Sequence, residues 1–483
     1  MPDIDLHEYQ KLARDFLIRT PKAGLFLDVG FGKTLTTLSA LSKMPLRGHI
    51  LIIAPKAIAR STWLDELKKW GFNVSTVSLI VNERGKNLTK AKRTALYEEI
   101  KDHKPSIYFI NRELICDLIE WHTKNRFDRR TRRIDWPFPN IVIDELQSFK
   151  SASSQRFKAL KKVMPYVDRF IGLTGTPVPN GLMDLWSEIW LMDGGKRLGT
   201  TLTQYRDAFF RPGYTLSNGV VAEWIPRAGM EDVIYDRIKD IVISVKNANL
   251  NLPELINNNV YCDMDAKEMA VYKKLMKEQL LETKSGKTVE ASNSAVLSVR
   301  LTQMASGTIY TTENDAKHLD YIRIHTRKLE RLKYIIENTG DNILIAYHFR
   351  SDEKEITDYL DQNGIAVRKL DGSPEMIKEW NDGKIPVMLI QPKSFAHGIN
   401  IQQGGHTLVW YTIPTSLEEY IQTVGRLNRQ GQSSSTVFVH HLITRHTIDT
   451  KLLSSIEKKD LSERELLNAV NAVLNDDEDD DDF

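Results

Sequence analysis

Cysteine is nearly missing from this chain: Cys116 and Cys262 are the only two in 483 residues. Two thiols exclude a disulfide framework and a cysteine-rich zinc site, and they fit a reducing cytoplasm. No H-E-x-x-H occurs. Long apolar runs are missing too, none approaching the ~20 residues that cross a bilayer. The opening MPDIDLHEYQ has none of the character of a secretory leader, so no membrane partner is expected. Tandem repeats are lacking. A large net charge is lacking as well: it is only +2. That balance conceals an asymmetry: Asp476 to Asp482 is an unbroken run of acids just before Phe483. The rest of the chain is decidedly basic. A basic body with an acidic tail suggests a polyanion-binding protein that carries its own anionic peptide. The tail is too charged to bury anything, so it is expected to be disordered.

What is present fits a soluble protein of two or three domains, with 41% apolar and 27% charged residues. Four apolar β-rich runs, GLFLDVG, HILIIAP, SIYFINR and NIVIDEL, alternate with helix-period segments such as TLTTLSALSK and STWLDELKKW. Strands buried on both faces and separated by helices imply a parallel α/β sheet, with ligands at its carboxyl edge. From about 196 to 320 the pattern becomes mainly helical. MEDVIYDRIKDIVISVK and MDAKEMAVYKKLMKEQLLETK read as amphipathic helices, and NNNVYCDM is the exception. NILIAYHF, IAVRKL, PVMLIQP, HTLVWYT and STVFVHHL then predict a second α/β sheet. The expected layout is a first α/β lobe (1–195), a helical section (196–320), a second lobe (321–465) and a C-terminal segment with the acidic tail (466–483).

The stretch LFLDVGFGKTLTTLSAL, Leu25 to Leu41, reads as strand, glycine turn and helix. Gly30 and Gly32 let successive N–H groups turn toward a phosphate, and the helix that follows favours anions at its start. Lys33 would reach the β and γ phosphates, and the Thr34 hydroxyl would help hold Mg²⁺. Leu27 stands where G-x-x-x-x-G-K-[ST] has its first glycine, so an ordinary strand–turn–helix is the competing reading. That reading weakens at NIVIDELQSF, where a strand delivers Asp144 and Glu145 to its carboxyl end. A carboxylate there can organise Mg²⁺, and its neighbour can orient or deprotonate water.

These motifs, in this order over residues 6 to 450, resemble the superfamily-two helicases, and among them the Swi/Snf-like DNA translocases. LHEYQKLARDFL is similar to the family's adenine-reading glutamine motif, with Gln10 as reader. DVGFGKT matches the family's D-E-M-G-L-G-K-T, which also lacks the early glycine. In LIIAPKAIARSTWLDELKKW, the region of Pro55 and Trp63 resembles the segment that lies along a nucleic-acid strand. DELQ, Asp144 to Gln147, stands in place of D-E-A-H. LTGTPVPNGLMDLWSEI is the most specific match, with Asp184 replacing the usual Glu. NILIAYHFRSDEKEI, LDGS, SFAHGINIQQGG and QTVGRLNRQGQ follow. The last places Arg426 and Arg429, at helical spacing on one face, as arginine fingers. The resemblance implies two RecA-like parallel-sheet lobes with a mainly helical section between them. It further implies ATP and Mg²⁺ as cofactors, and an ATPase driven by lobe closure that moves on or remodels DNA. A strand-separating helicase, or a replication accessory acting through its tail, stays open as an alternative. TGT at Thr174 to Thr176 points away from RNA helicases with S-A-T. Ala396 and His397 depart from the glycine-rich pattern, the stretch after LDGS is short, and no chromatin-reading module is visible. A stripped bacterial or phage motor fits best, which places it in the bacterial or phage-infected cytoplasm.

Nucleic-acid contacts are expected at Lys56, Arg60, Arg112 and Lys393, next to strand ends or motifs. They are also expected at Arg129, Arg130, Arg132 and Arg133 within KNRFDRRTRRIDWP. There Phe127 and Trp136 could stack on bases. A solvated loop partly balanced by Asp128 and Asp135 is the plainer reading. Leu252, Pro253 and Tyr272 resemble a family stretch whose helices either grip duplex DNA or buttress the lobes. The tail ending in Phe483 either keeps the chain soluble, docks on a replication protein, or competes with DNA for the basic surface.

Overall fold

The computed structural model describes residues 5–27, 30–175, 181–213, 215, 219, 221, 224–245, 252–283, 291–311, 320–395 and 399–458. The loop residues Asp28 and Val29, Thr176 to Asn180, Ala396 to Gly398, and the tail through Phe483 lie outside them. The chain forms two compact units, 1–213 with 224–250 and 214–223 with 251–483. The section expected at 196–320 is thus shared between the units and does not form a body of its own.

The first unit is built on seven strands: β1 (Lys22–Leu27), β2 (Ile50–Ala54), β3 (Thr76–Ser78), β4 (Ile107–Asn111), β5 (Asn140–Asp144), β6 (Arg169–Thr174) and β7 (Val242–Val245). Their order is β7-β1-β6-β5-β2-β4-β3, and every pairing is parallel. Leu25, Ile52, Phe109, Ile143 and Ile171 are fully enclosed, because helices cover both faces. Each such side chain contributes roughly 1.5–3 kcal/mol by leaving water. All the carboxyl ends share one edge, and β1, β6 and β5 lie side by side. Phosphate-loop strand and carboxylate strand are therefore separated by one strand, β6, which ends at Thr174.

The strand β7 corrects the reading of residues 230–246 as one amphipathic helix. The helix Met230–Ile238 stops there, and Val242–Val245 joins β1 in parallel. The run IVISV is β-branched and apolar, and an open edge of β1 accepts it.

The second unit has β8 (Glu254–Cys262), β9 (Ile343–Ala346), β10 (Arg368–Lys369), β11 (Val387–Ile390), β12 (Thr407–Trp410) and β13 (Thr436–Thr444). Their order is β8-β13-β12-β9-β11-β10, again all parallel. The isolated strand NNNVYCDM is thus an edge strand of this sheet, paired along its whole length with β13. Tyr272 is buried in the core of this unit with Met276, Leu297 and Leu301. It buttresses the sheet and presents nothing to a nucleic acid. Among the described residues no helix is long and apolar enough to cross a membrane.

Candidate nucleotide site

At the carboxyl end of β1 the chain turns through Gly30 (φ 87°) and Gly32 (φ 68°) into the helix Lys33–Lys43. Both angles lie where side-chain-bearing residues are strained. Lys33 Nζ donates to the Leu27 carbonyl at 2.9 Å, across the mouth of the turn. Thr36 and Thr37 donate their hydroxyls back to the Gly32 and Lys33 carbonyls at 3.0 and 2.8 Å. The Thr34 hydroxyl has no such partner among the described residues, which leaves it available at the helix start. Gln10, on the helix Glu8–Arg19, is buried against this loop. Its amide accepts from the His7 N–H and donates to the Phe31 carbonyl.

Asp144 ends β5 and is buried. Its Oδ2 accepts the indole N–H of Trp63 at 2.9 Å, and its Oδ1 accepts the Glu145 N–H at 3.1 Å. Burial and then the charge of Glu145 push its pKa up, while Trp63 and the nearby Lys33 ammonium pull it down. Glu145 sits at φ 59°, ψ 59°, a left-handed conformation that costs a non-glycine residue about 1–3 kcal/mol and gathers at functional sites. Its carboxylate takes a hydrogen bond from the Gln147 side chain. Gln147, the last residue of DELQ, thus has a partner within its own turn. Asp184, the departure from the family's Glu, pairs with Lys150 at 3.2 Å. Ser187 donates to the Lys150 carbonyl at 2.7 Å. These two bonds tie the segment after β6 to the segment after β5.

Of the region around Pro55 and Trp63 that resembles a segment lying along a nucleic-acid strand, Trp63 itself is fully buried and so is not the side chain that could meet a polymer. It opens the helix Trp63–Lys69, directly after a single π-turn, Ile58–Thr62. The neighbours Lys56, Arg60 and Arg112 are exposed or nearly so at the same carboxyl edge as Lys33. Arg60 donates to the Gly85 carbonyl and Arg112 pairs with Glu113.

The arginine loop is a small hairpin, Phe127–Asp128 against Arg133–Ile134. It precedes β5 and so projects from the amino edge of the sheet, one strand length (about 13 Å) from the Asp144 end. It is therefore not on the edge that carries Lys56 and Arg112. Trp136 is buried, edge-on to His122 and Phe138, so it cannot stack on a base; Phe127 remains exposed. The balancing acids are diverted. Asp128 caps the tip through the Arg130 N–H and the Thr131 hydroxyl, and Asp135 pairs with Lys101. The side chains of Arg129, Arg130, Arg132 and Arg133 are exposed and make no ion pair among the described residues.

In the second unit the arginine pair does not share a helix face. The helix Leu417–Val424 ends at Gly425, and Arg426 and Arg429 follow in tight turns. One anchor holds them both. Arg426 Nη1 donates to the Ile399 carbonyl at 3.1 Å and Arg429 Nη1 to Asn400 Oδ1 at 3.0 Å. Arg426 is buried, and Arg429 is partly open. Lys393, past the end of β11, rests its ammonium on His348 Nε2 at 3.2 Å. Burial and that ammonium hold His348 down to about 4, so it accepts as the neutral ring.

The donor set suits Mg²⁺. Among the described residues no three metal-binding side chains cluster, and one buried carboxylate plus a free hydroxyl is how this ion is held when phosphates and water complete its shell.

A phosphate cradle and a buried strand-end carboxylate on one parallel sheet, with a guanidinium pair on a second, define a two-sheet phosphate-loop ATPase. Residues 9–306 match the SNF2-related domain and residues 327–431 the helicase conserved C-terminal domain. The chain belongs to the SNF2-related family, and is an ATP-dependent enzyme of the helicase class. It is 31% identical to protein p41 of Acyrthosiphon pisum secondary endosymbiont phage 1, over 96% of this chain and 98% of that one. It is 27% identical to an uncharacterized ATP-dependent helicase of Mycoplasma pneumoniae over 92% of this chain, which spans only 40% of that protein. Of solved structures, the Sulfolobus solfataricus SWI2/SNF2 ATPase core in complex with dsDNA is similar at 20% identity and TM-score 0.41, covering 95% of this chain and 91% of that one.

Proposed function

We propose that this protein is a DNA-stimulated ATPase that translocates along duplex DNA. The observation that carries the reading is the shared carboxyl edge of the first sheet. There Lys33 and Asp144 stand at the ends of strands separated only by β6, with Lys56 and Arg112 on the same edge. In this reading Gly30 to Thr34 cradle the phosphates, and Gln10 borders the loop on the adenine side. Thr34 and Asp144 would hold Mg²⁺, which would supply positive charge against the phosphates. Glu145 orients the attacking water from its strained turn. Arg426 and Arg429, on the second unit, are the candidate arginine fingers, guanidinium groups of the kind that stabilise charge on a transferred phosphoryl.

The test is ATPase rate with duplex DNA, single-stranded DNA and RNA, beside triplex displacement and strand unwinding. Stimulation by duplex with triplex displacement and no unwinding is expected. Unwinding would favour the strand-separating helicase, and equal rates with and without nucleic acid would end the motor reading. A replication protein held by the tail ending in Phe483 belongs to the proposal as a separate element. Loss of a partner on removal of residues 476–483 is its test.

A further inference from the structure

We propose that Trp63 is a positioning residue of the hydrolytic site, whose indole N–H fixes the rotation of the Asp144 carboxylate and so presents it to the metal. This rests on the reading of Asp144 as a metal carboxylate. The geometry is specific. Trp63 is fully enclosed, Asp144 is buried at the strand end, and the two meet at 2.9 Å. Each solves the other's problem, since a buried indole N–H needs an acceptor and a buried carboxylate needs donors.

The indole binds Oδ2 while the Glu145 N–H binds Oδ1, so both oxygens have a fixed donor and the carboxylate plane cannot swing. The Glu145 donor comes from the backbone and survives any substitution. The Trp63 donor is the one a substitution can remove. The side chain is also enclosed on a buried helix face, since Trp63 and Leu67, one turn apart in the helix Trp63–Lys69, are both buried. Without the N–H, Asp144 keeps its place in the strand but loses the bond that sets its angle. Groups that orient a metal ligand in this way are typically worth about 10- to 100-fold in metal affinity.

The experiment measures Mn²⁺ binding to the full chain by electron paramagnetic resonance in the presence of ADP, together with ADP binding in EDTA. Trp63→Phe removes the N–H but leaves a gap. Replacement of Trp63 by 3-benzothienylalanine keeps the ring outline and puts sulfur where the N–H stood, so it reads the bond alone if the phenylalanine variant does not fold. The expected result is Mn²⁺ binding weakened about 10-fold or more, metal-free ADP binding unchanged, and no additional loss when the change is made in Asp144→Asn. Unchanged Mn²⁺ affinity in the benzothienyl protein overturns the proposal, as does a parallel loss of metal-free ADP binding. If Asp144→Asn itself leaves Mn²⁺ binding intact, the metal reading of the site falls and the proposal with it. If Asp144→Asn weakens Mn²⁺ and the benzothienyl protein does not, only the role of Trp63 is lost.

Discussion

The amide nitrogen of Gln10 lies 2.4 Å from the point that a Cβ on Gly32 would occupy. The helix that precedes β1 and the phosphate loop that follows it are therefore in direct contact. Gly32→Ala meets both that amide and a φ of 68°, and the backbone alone costs about 1–2 kcal/mol. ATP binding is expected to fall sharply, with the melting temperature lowered by about 2–8 °C. A fluorescent-ATP titration checks it, and parental affinity would mean that the loop does not need a bare Cα here.

Lys33→Ala removes the ammonium that spans the turn and whose charge helps hold the Asp144 pKa down. Turnover should fall by at least about 100-fold, the usual effect of losing one preorganised charge donor. Nucleotide-free DNA affinity should stay as it was. Steady-state phosphate release decides, and normal turnover would remove the site.

Arg429 is partly open while Arg426 is buried on the Ile399 carbonyl. Arg429→Ala should lower kcat by roughly 10³-fold with little change in KM for ATP, the behaviour of a transition-state donor. Arg426→Ala should add a loss of thermal stability, because it also strands a buried carbonyl. A KM effect without a kcat effect at Arg429 would assign it to substrate binding alone.

Replacing Arg129, Arg130, Arg132 and Arg133 together with glutamine tests the hairpin. If the four contact phosphates, the slope of log affinity against log salt should become shallower by about 3–4. An unchanged slope leaves the hairpin as a solvated loop, the reading its position on the amino edge permits.

Asp352 is buried in the second unit, where Thr412 donates to it at 2.6 Å and the Phe349 N–H at 2.9 Å. Burial pushes it up to about 6. Its native form holds a proton more firmly than the unfolded chain does, so stability falls as pH rises from about 4 to about 6, by up to about 3 kcal/mol. Asp352→Asn should flatten that part of the pH–stability curve. Chemical denaturation at pH 4, 5, 6 and 7 gives the answer, and an unaltered curve would show that the carboxyl stays ionised.

Which features were readable from residues alone follows from how local their signals are. β1, β2, β4 and β5 are continuous apolar runs closed by polar turns, and the loop and carboxylate stand at their ends, so strands and site were visible together. β7 was not, because its β-branched run follows a helix without a break and only pairing with β1, more than two hundred residues earlier, makes it a strand. Arg426 and Arg429 have helical spacing, but Gly425 ends the helix one residue too soon. Trp63 sits in an apolar periodic segment like any core tryptophan. Its partner is 81 residues away, a distance no motif spacing encodes. A tryptophan two turns past a strand, in a chain that also offers a buried strand-end aspartate, is the only hint there was.

The late arrival of β7 has a consequence for biosynthesis. Until about 245 residues have left the ribosome, β1 has a bare flank of unmet N–H and C=O groups, and it is the strand that leads into the phosphate loop. A fragment ending at 195 should therefore clump or recruit chaperones, whereas one ending after Val245 should stay dispersed. The nucleotide cradle, though encoded near the start, is completed only by residues translated long afterwards.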